Sequence, residues 1–316
     1  MKKVLLLLVA TLLVITLSAC GNDNDPDNLV YVTVYPMQFL VEEIAGDLVT
    51  VRRVPGSTVH SESIDWTGKE IISMLNSDLL FYVNAGLDTY IDNTKDTTFK
   101  EGSVTIVDIS QYIEYNEVCF SHDFIEGDDD LDGCDETQLS DDPHFWLDPF
   151  RMSQAAEMVK DILSLTYPEY SEDFATNYSA LYADLDTLNS DYEAMSLEVT
   201  KPLITTTMLF TYYAVRYNLD IHPISTSAHA TEETAENLIA FVELAEENDL
   251  AYIIFEKNAN SPSGDSVLTS YQEINPDAER LYMHGLGNLT DEEIDDGLNY
   301  MSIMYANLNV LQLSTK

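Results

Sequence analysis

Basic residues are scarce in this chain: Lys and Arg number 14 against 56 Asp and Glu, a formal charge of −42 over 316 residues. Nucleic-acid binding needs a basic footprint, so that class of function is excluded. The acid excess also argues against broad contact with an anionic membrane; it is compatible with attracting cations, or simply with solubility in an exterior medium. Histidine is rare as well, with six in all: His60, His122, His144, His222, His229 and His284. No His-Glu-x-x-His sequence and no Gly-x-Ser-x-Gly elbow occurs, which removes two common hydrolase readings. Beyond the N-terminus, no apolar run is long enough to span a bilayer.

What is present supports two compact units. The chain is longer than one typical domain, and 45% apolar residues with 10% aromatics can fill real cores. The first residues read as a targeting segment: Lys2 and Lys3, a short apolar run from Val4 to Leu17, then Leu17-Ser18-Ala19-Cys20. That tetrapeptide resembles the lipobox of bacterial lipoproteins, which implies a lipoprotein signal peptide over residues 1–20, with Cys20 lipidated and left as the first residue after cleavage; an ordinary secretory signal with a chance cysteine is the alternative. Residues 21–28 have the composition of a flexible tether. Export would permit a disulfide between Cys119 and Cys134, worth roughly 3 kcal/mol by loop closure; two free thiols are the other possibility.

Strands alternating with helices imply parallel βαβ units. Strands are expected at Leu29–Tyr35, Leu48–Val54, Leu79–Val83 and Val104–Val107, with helices from Met37 to Ala45 and after a Thr67 capping box. Residues 121–142, dense in Asp and Glu, read as a solvated surface loop. From 169 to 199, Phe174, Tyr178, Leu181, Leu185, Leu188, Tyr192 and Met195 recur at steps of three and four, a helix roughly 40 Å long. The alternation then resumes. Strands fall near Leu203–Thr206, Asp220–Ser225, Ala251–Phe255 and Leu281–Met283. Thr231 is expected to cap a helix whose apolar face includes Ala235, Leu238, Ile239, Val242 and Ala245. Thr290 is expected to open one terminal helix with Ile294, Leu298 and Met301 inward. The organisation is therefore an N-terminal α/β lobe (29–168), a connecting helix (169–199) and a C-terminal α/β lobe (200–316).

Chemistry gathers around Asp141-Asp142-Pro143-His144-Phe145-Trp146-Leu147-Asp148-Pro149, where two prolines fix the backbone beside one imidazole. His144 could be a metal ligand, a general base or a packed structural residue. His60 follows a strand and His284 ends one, and ligand sites of open α/β sheets collect at the carboxyl ends of strands. A cleft between lobes could bring the three imidazoles together, a donor set suited to zinc. His222, inside a strand, reads as structural, and His122 as solvated.

Asp142 to Pro149 resembles the Asp-Pro-His-x-Trp-Leu-Asp-Pro signature of the zinc/manganese ABC-transporter solute-binding lipoproteins. Phe255-Glu256 and the stretch from Ser77 to Asp88 are similar to further segments of that family. The resemblance implies two α/β lobes joined by one long rigid helix and a divalent metal in the cleft. Transferred residue by residue, it makes His60 and His144 the first two ligands, places Thr207 at the third position, and puts His284 where an acid usually stands. Glu256 could complete the site, and His229 could replace the third ligand. The implied cargo is Zn2+, with Mn2+ as the alternative. The implied partner is an ABC permease, reached by a single-copy receptor lipid-anchored to the outer face of the cell membrane. A surface adhesin or scaffold of the same fold with a degenerate metal site is the competing reading.

Overall fold

The computed structural model describes residues 25–57, 63–119, 139–225 and 234–316. Among these, two four-stranded parallel sheets lie in two α/β units. The first contains β1 (Leu29–Val32), α1 (Tyr35–Ala45), β2 (Thr50–Arg53), α2 (Gly68–Leu75), β3 (Leu79–Tyr82), the single turn α3 (Thr89–Asp92) and β4 (Thr105–Asp108), with sheet order β2-β1-β3-β4. Every residue of β1 and β3 is buried, as strands covered on both faces require. The strand expected to reach Tyr35 stops at Val32. Pro36 sits in the first turn of α1, where its missing N–H removes no helical bond, so it opens the helix. Gly46, at φ 53°, closes it. Thr67 caps α2 through the full capping box with Glu70.

The acidic stretch is not all loop. β5 (Asn116–Cys119) pairs antiparallel with β6 (Leu139–Asp142), so the residues leading into the His144 motif are held in a hairpin. Helix α4 (Pro149–Thr166) follows, N-capped by Asp148, which accepts from the Phe150 N–H. The long helix α5 (Ser171–Ser196) buries the expected stripe, Phe174, Leu181, Leu185, Leu188, Tyr192 and Met195.

The second unit runs β7 (Leu203–Thr205), α6 (Thr211–Tyr217), β8 (Ile221–Pro223), α7 (Ala235–Glu247), β9 (Tyr252–Glu256), α8 (Pro262–Gln272), β10 (Glu279–Met283), α9 (Asp291–Asp295) and α10 (Tyr300–Ser314), with sheet order β8-β7-β9-β10. Three expectations are corrected here. The cap of α7 is Thr234, whose hydroxyl accepts from the Asn237 N–H, and Ile239 points outward at 58% exposure while Phe241 and Ala245 are buried. Helix α8 was missed, although Ser261 and Pro262 carry the cap and first-turn signals. The single terminal helix is two, broken at Gly297 (φ 73°) and restarted by the Asn299 cap; Ile294 is 57% exposed.

Helix α5 engages both units. Asn177 Nδ2 donates to Ile44 O of α1 at 3.0 Å, and the Tyr192 hydroxyl donates to Met304 O of α10 at 2.8 Å. The units also meet directly around the motif. Trp146, fully buried, donates from Nε1 to Gly285 O at 2.8 Å, and the Tyr300 hydroxyl donates to Trp146 O at 2.7 Å. The Phe39 and Tyr300 rings stack at 5.2 Å, and the Tyr35 N–H donates to Gly287 O. Among the described residues, no helix is long and apolar enough to cross a membrane.

Candidate metal centre

A cavity of about 520 Å³ lies between the two units. Its walls follow strand carboxyl ends: Ala85 to Leu87 after β3, Thr207 after β7, Glu256 closing β9 and His284 after β10, facing His144 from the motif. In parallel sheets these ends are where loops are free to converge.

The His144 ring is tightly oriented. Asp142 Oδ1 lies 2.6 Å from Nδ1 and also accepts the His144 backbone N–H at 3.0 Å. The other Asp142 oxygen is buried and makes no hydrogen bond. Asp142 is in turn placed by the β5–β6 hairpin, and its backbone carbonyl accepts from the Tyr212 hydroxyl. With the proton on Nδ1 directed at a carboxylate, a neutral imidazole carries its lone pair on Nε2. The ring meets Trp146 edge-on at 5.2 Å and its side chain remains 12% exposed. Asp148 serves elsewhere: fully buried, it pairs with Arg151 at 2.6 Å while capping α4.

His284 is held by a different scheme. Its backbone N–H donates to Asn307 Oδ1 at 2.8 Å and its carbonyl accepts from Asn307 Nδ2 at 2.9 Å. Nδ1 accepts from the Leu286 N–H at 2.8 Å, which leaves the proton of the neutral ring on Nε2. Nε2 is buried, lies 3.3 Å from Glu293 Oε1, and lacks hydrogen-bond alignment. Burial pushes the His284 pKa down, aided by the Lys257 charge and opposed by Glu293. Burial works against the Glu293 charge too. The Thr290 N–H, the Asn258 amide, the Thr290 hydroxyl and His284 outweigh it, and the carboxyl is held down at about 2.

Glu256 is half-buried, with Oε1 close against Gly285: a Cβ built there would meet it at 3.0 Å. Burial raises its pKa, and the nearby His144 acts in the opposite direction. Thr207 lines the cavity, but its hydroxyl caps the following turn by accepting from the Leu209 N–H. His222 is buried in β8 with Nε2 2.7 Å from Asp220 Oδ1. His60, His122, His229, Cys20 and Cys134 lie outside the described residues. The described residues alone contain no group of three His, Cys, Asp or Glu side chains able to hold an ion. What they bring to one cavity is His144, Glu256, His284 and Thr207.

A sequence profile described as zinc-uptake complex component A, periplasmic (ZnuA) matches residues 30–313. The chain belongs to the ZnuA family. This is a family of transport components and not of enzymes. Among the ZnuA family's relatives, the zinc-binding lipoprotein AdcA of Streptococcus pneumoniae is 30% identical over 318 residues, covering all of this chain and 61% of AdcA. The chain thus spans about three fifths of that relative's length. It is 27% identical to the high-affinity zinc uptake system protein ZnuA of Bacillus subtilis, covering 93% of this chain and 92% of that protein. The Zn(II)-bound ZnuA-like domain of Streptococcus pneumoniae AdcA superposes with a TM-score of 0.71 at 24% identity, over 92% of this chain and 99% of that one. The periplasmic zinc-binding protein TroA of Treponema pallidum gives 0.71 at 18% identity, over 92% and 99%. Both superpositions establish the two-lobed ZnuA-type fold.

The residues that sequence reasoning missed are those behind the ligand candidates. Asp142 stood two positions before His144 in the motif, yet it was counted with the acidic loop. Glu293 was recognised only as part of a helix cap, and nothing local marks Asn258 or Asn307.

Proposed function

We propose that this protein is an extracytoplasmic receptor that captures zinc between its lobes and passes it to an ABC permease. The carrying observation is the Asp142–His144 pair, a carboxylate fixing Nδ1 so that Nε2 is the donor, at the wall of an interlobe cavity. In this reading His144 and Glu256 supply two ligands. His60, outside the described residues, is a further ligand by the family resemblance, and His284 joins when Nε2 exchanges its proton for the metal. His229 stays a candidate for the place that Thr207 leaves empty of a good donor. A donor set rich in imidazole favours Zn2+; Mn2+, which takes more oxygen, is the weaker fit. Lipidation at Cys20 would hold the receptor, as a single copy, on the outer face of the cell membrane.

Thermal melting with added metal tests this. Zinc at a thousandfold excess over its dissociation constant should stabilise the fold by about 4 kcal/mol, with manganese giving less. A melting curve unmoved by either metal would overturn the proposal, and metal-independent binding to a host or matrix surface would favour the adhesin alternative.

A further inference from the structure

Gly285 stands in the cavity wall directly after His284, and its backbone is fixed from three directions. Trp146 Nε1, from the other lobe, donates to Gly285 O at 2.8 Å. Asn307 clamps the N–H and the carbonyl of His284 just before it. The Leu286 N–H just after it donates to His284 Nδ1 at 2.8 Å.

Glu256 is held as firmly at its own backbone. It ends β9 opposite Met283 of β10, and its N–H donates to the Thr206 hydroxyl at 3.1 Å. The next N–H, that of Lys257, donates to Met283 O at 2.7 Å. Between these two fixed points lies the Glu256 carboxylate. A Cβ on residue 285 would stand 3.0 Å from its Oε1 and 3.3 Å from Leu209 Cδ2. Optimal separations of such atoms begin near about 3.5 Å, so a side chain at 285 would claim space that the carboxylate occupies. Gly264 shows the contrast: a Cβ there would meet Thr206 Cγ2 at 2.5 Å and the Phe255 ring at 3.0 Å, where helix packs on strand and no carboxylate takes part. Among the described residues, none donates a hydrogen bond to the Glu256 carboxylate, although it is half-buried and lines the cavity.

We propose that Gly285 is a positioning residue for the cargo: by carrying no side chain, it seats the Glu256 carboxylate in the cavity and brings an oxygen donor to a set led by imidazole. This rests on the zinc-capture reading above. The seat is built from both lobes, since Trp146 holds Gly285 in place from across the interface. Carboxylate oxygen matters more to Mn2+ than to Zn2+, so residue 285 also sets how far the site tells the two ions apart.

Competition titration of the full-length protein with Zn2+ and with Mn2+ tests this, together with the visible absorption of Co2+ bound in place of zinc. The atoms that a methyl at 285 meets are side-chain ends, so Gly285→Ala should fold and should weaken zinc binding roughly tenfold. Manganese should weaken by a larger factor, and the Co2+ bands should move toward those of Glu256→Ala. In a Glu256→Ala background the methyl has no carboxylate to displace, and adding Gly285→Ala should change zinc affinity by less than about twofold. Wild-type protein that binds neither metal overturns the zinc-capture reading and this assignment together. Wild-type binding with Gly285→Ala equally tight, with unmoved Co2+ bands, or with the same loss in both backgrounds overturns the role of Gly285 alone. So does a Gly285→Ala chain that fails to fold in the Glu256→Ala background, because the methyl then meets more than the carboxylate.

Discussion

Two imidazoles from opposite units line the same cavity, and their neighbours prepare them for different tasks. Asp142 Oδ1 accepts from the His144 Nδ1–H at 2.6 Å, which favours the tautomer with its lone pair on Nε2. At His284 a backbone amide, that of Leu286, occupies Nδ1. The proton is thereby sent to Nε2, 3.3 Å from Glu293. The two rings are thus held in opposite tautomers, and under the proposed reading His284 must first give up a proton and loosen a contact. Residue type alone would rate them equal, and the hydrogen bond on the far nitrogen separates them.

The comparison sets an order of effects. His144→Ala should cost most, lowering zinc affinity roughly a thousandfold, about 4 kcal/mol, in competition calorimetry. Asp142→Asn keeps the ligand but loses the acceptor that fixes its tautomer, and the same titration should show a loss of about 10–100-fold. His284→Asn should follow with a loss of about tenfold, since part of what the ring gives to zinc is offset by the arrangement it leaves. A loss at His284 equal to that at His144 would erase the distinction between them.

The smallest effect is in the acid stability of the metal-free protein. The folded state holds the His284 pKa below the ordinary imidazole value of 6.5, so as pH falls below about 6.5 the unfolded chain binds the proton first and stability declines. Glu293, held at about 2 against the ordinary carboxylate value of 4.5, adds a second decline between about 4.5 and about 2. Glu256 is raised by burial and opposes these losses just above 4.5, where the folded state takes up its proton first. Urea unfolding across this range should show the second decline flattened in Glu293→Gln and the first flattened in His284→Asn.

Legibility followed the range of the interactions involved. The Thr67 and Thr290 capping boxes and the buried stripe of α5 depend on residues three or four apart, and the sequence displays them directly. Helix α7 was misplaced because a chain rich in threonine offers several caps, and tertiary packing selected Thr234. The terminal helix was drawn as one because Gly297 matters only through its positive φ. At the site, His144 and His284 could be picked out as rare residues at strand ends. Their orientation could not, since it rests on Asp142 through a hairpin, on Glu293 from a later helix, and on the Leu286 amide in a backbone turn at φ 62°.

Asn307 gives the site a place in time. Its side-chain amide binds the N–H and the carbonyl of His284 as a neighbouring strand would, yet it belongs to α10, 23 residues further along the chain. In a chain made from its N-terminus, His144 is therefore in place well before Asn307. Until α10 has emerged and docked, the end of β10 has no partner for that backbone, and the cavity wall is unfinished. The wall of the cavity at His284 is therefore finished by the packing of a distant helix and not by the strand that carries the histidine.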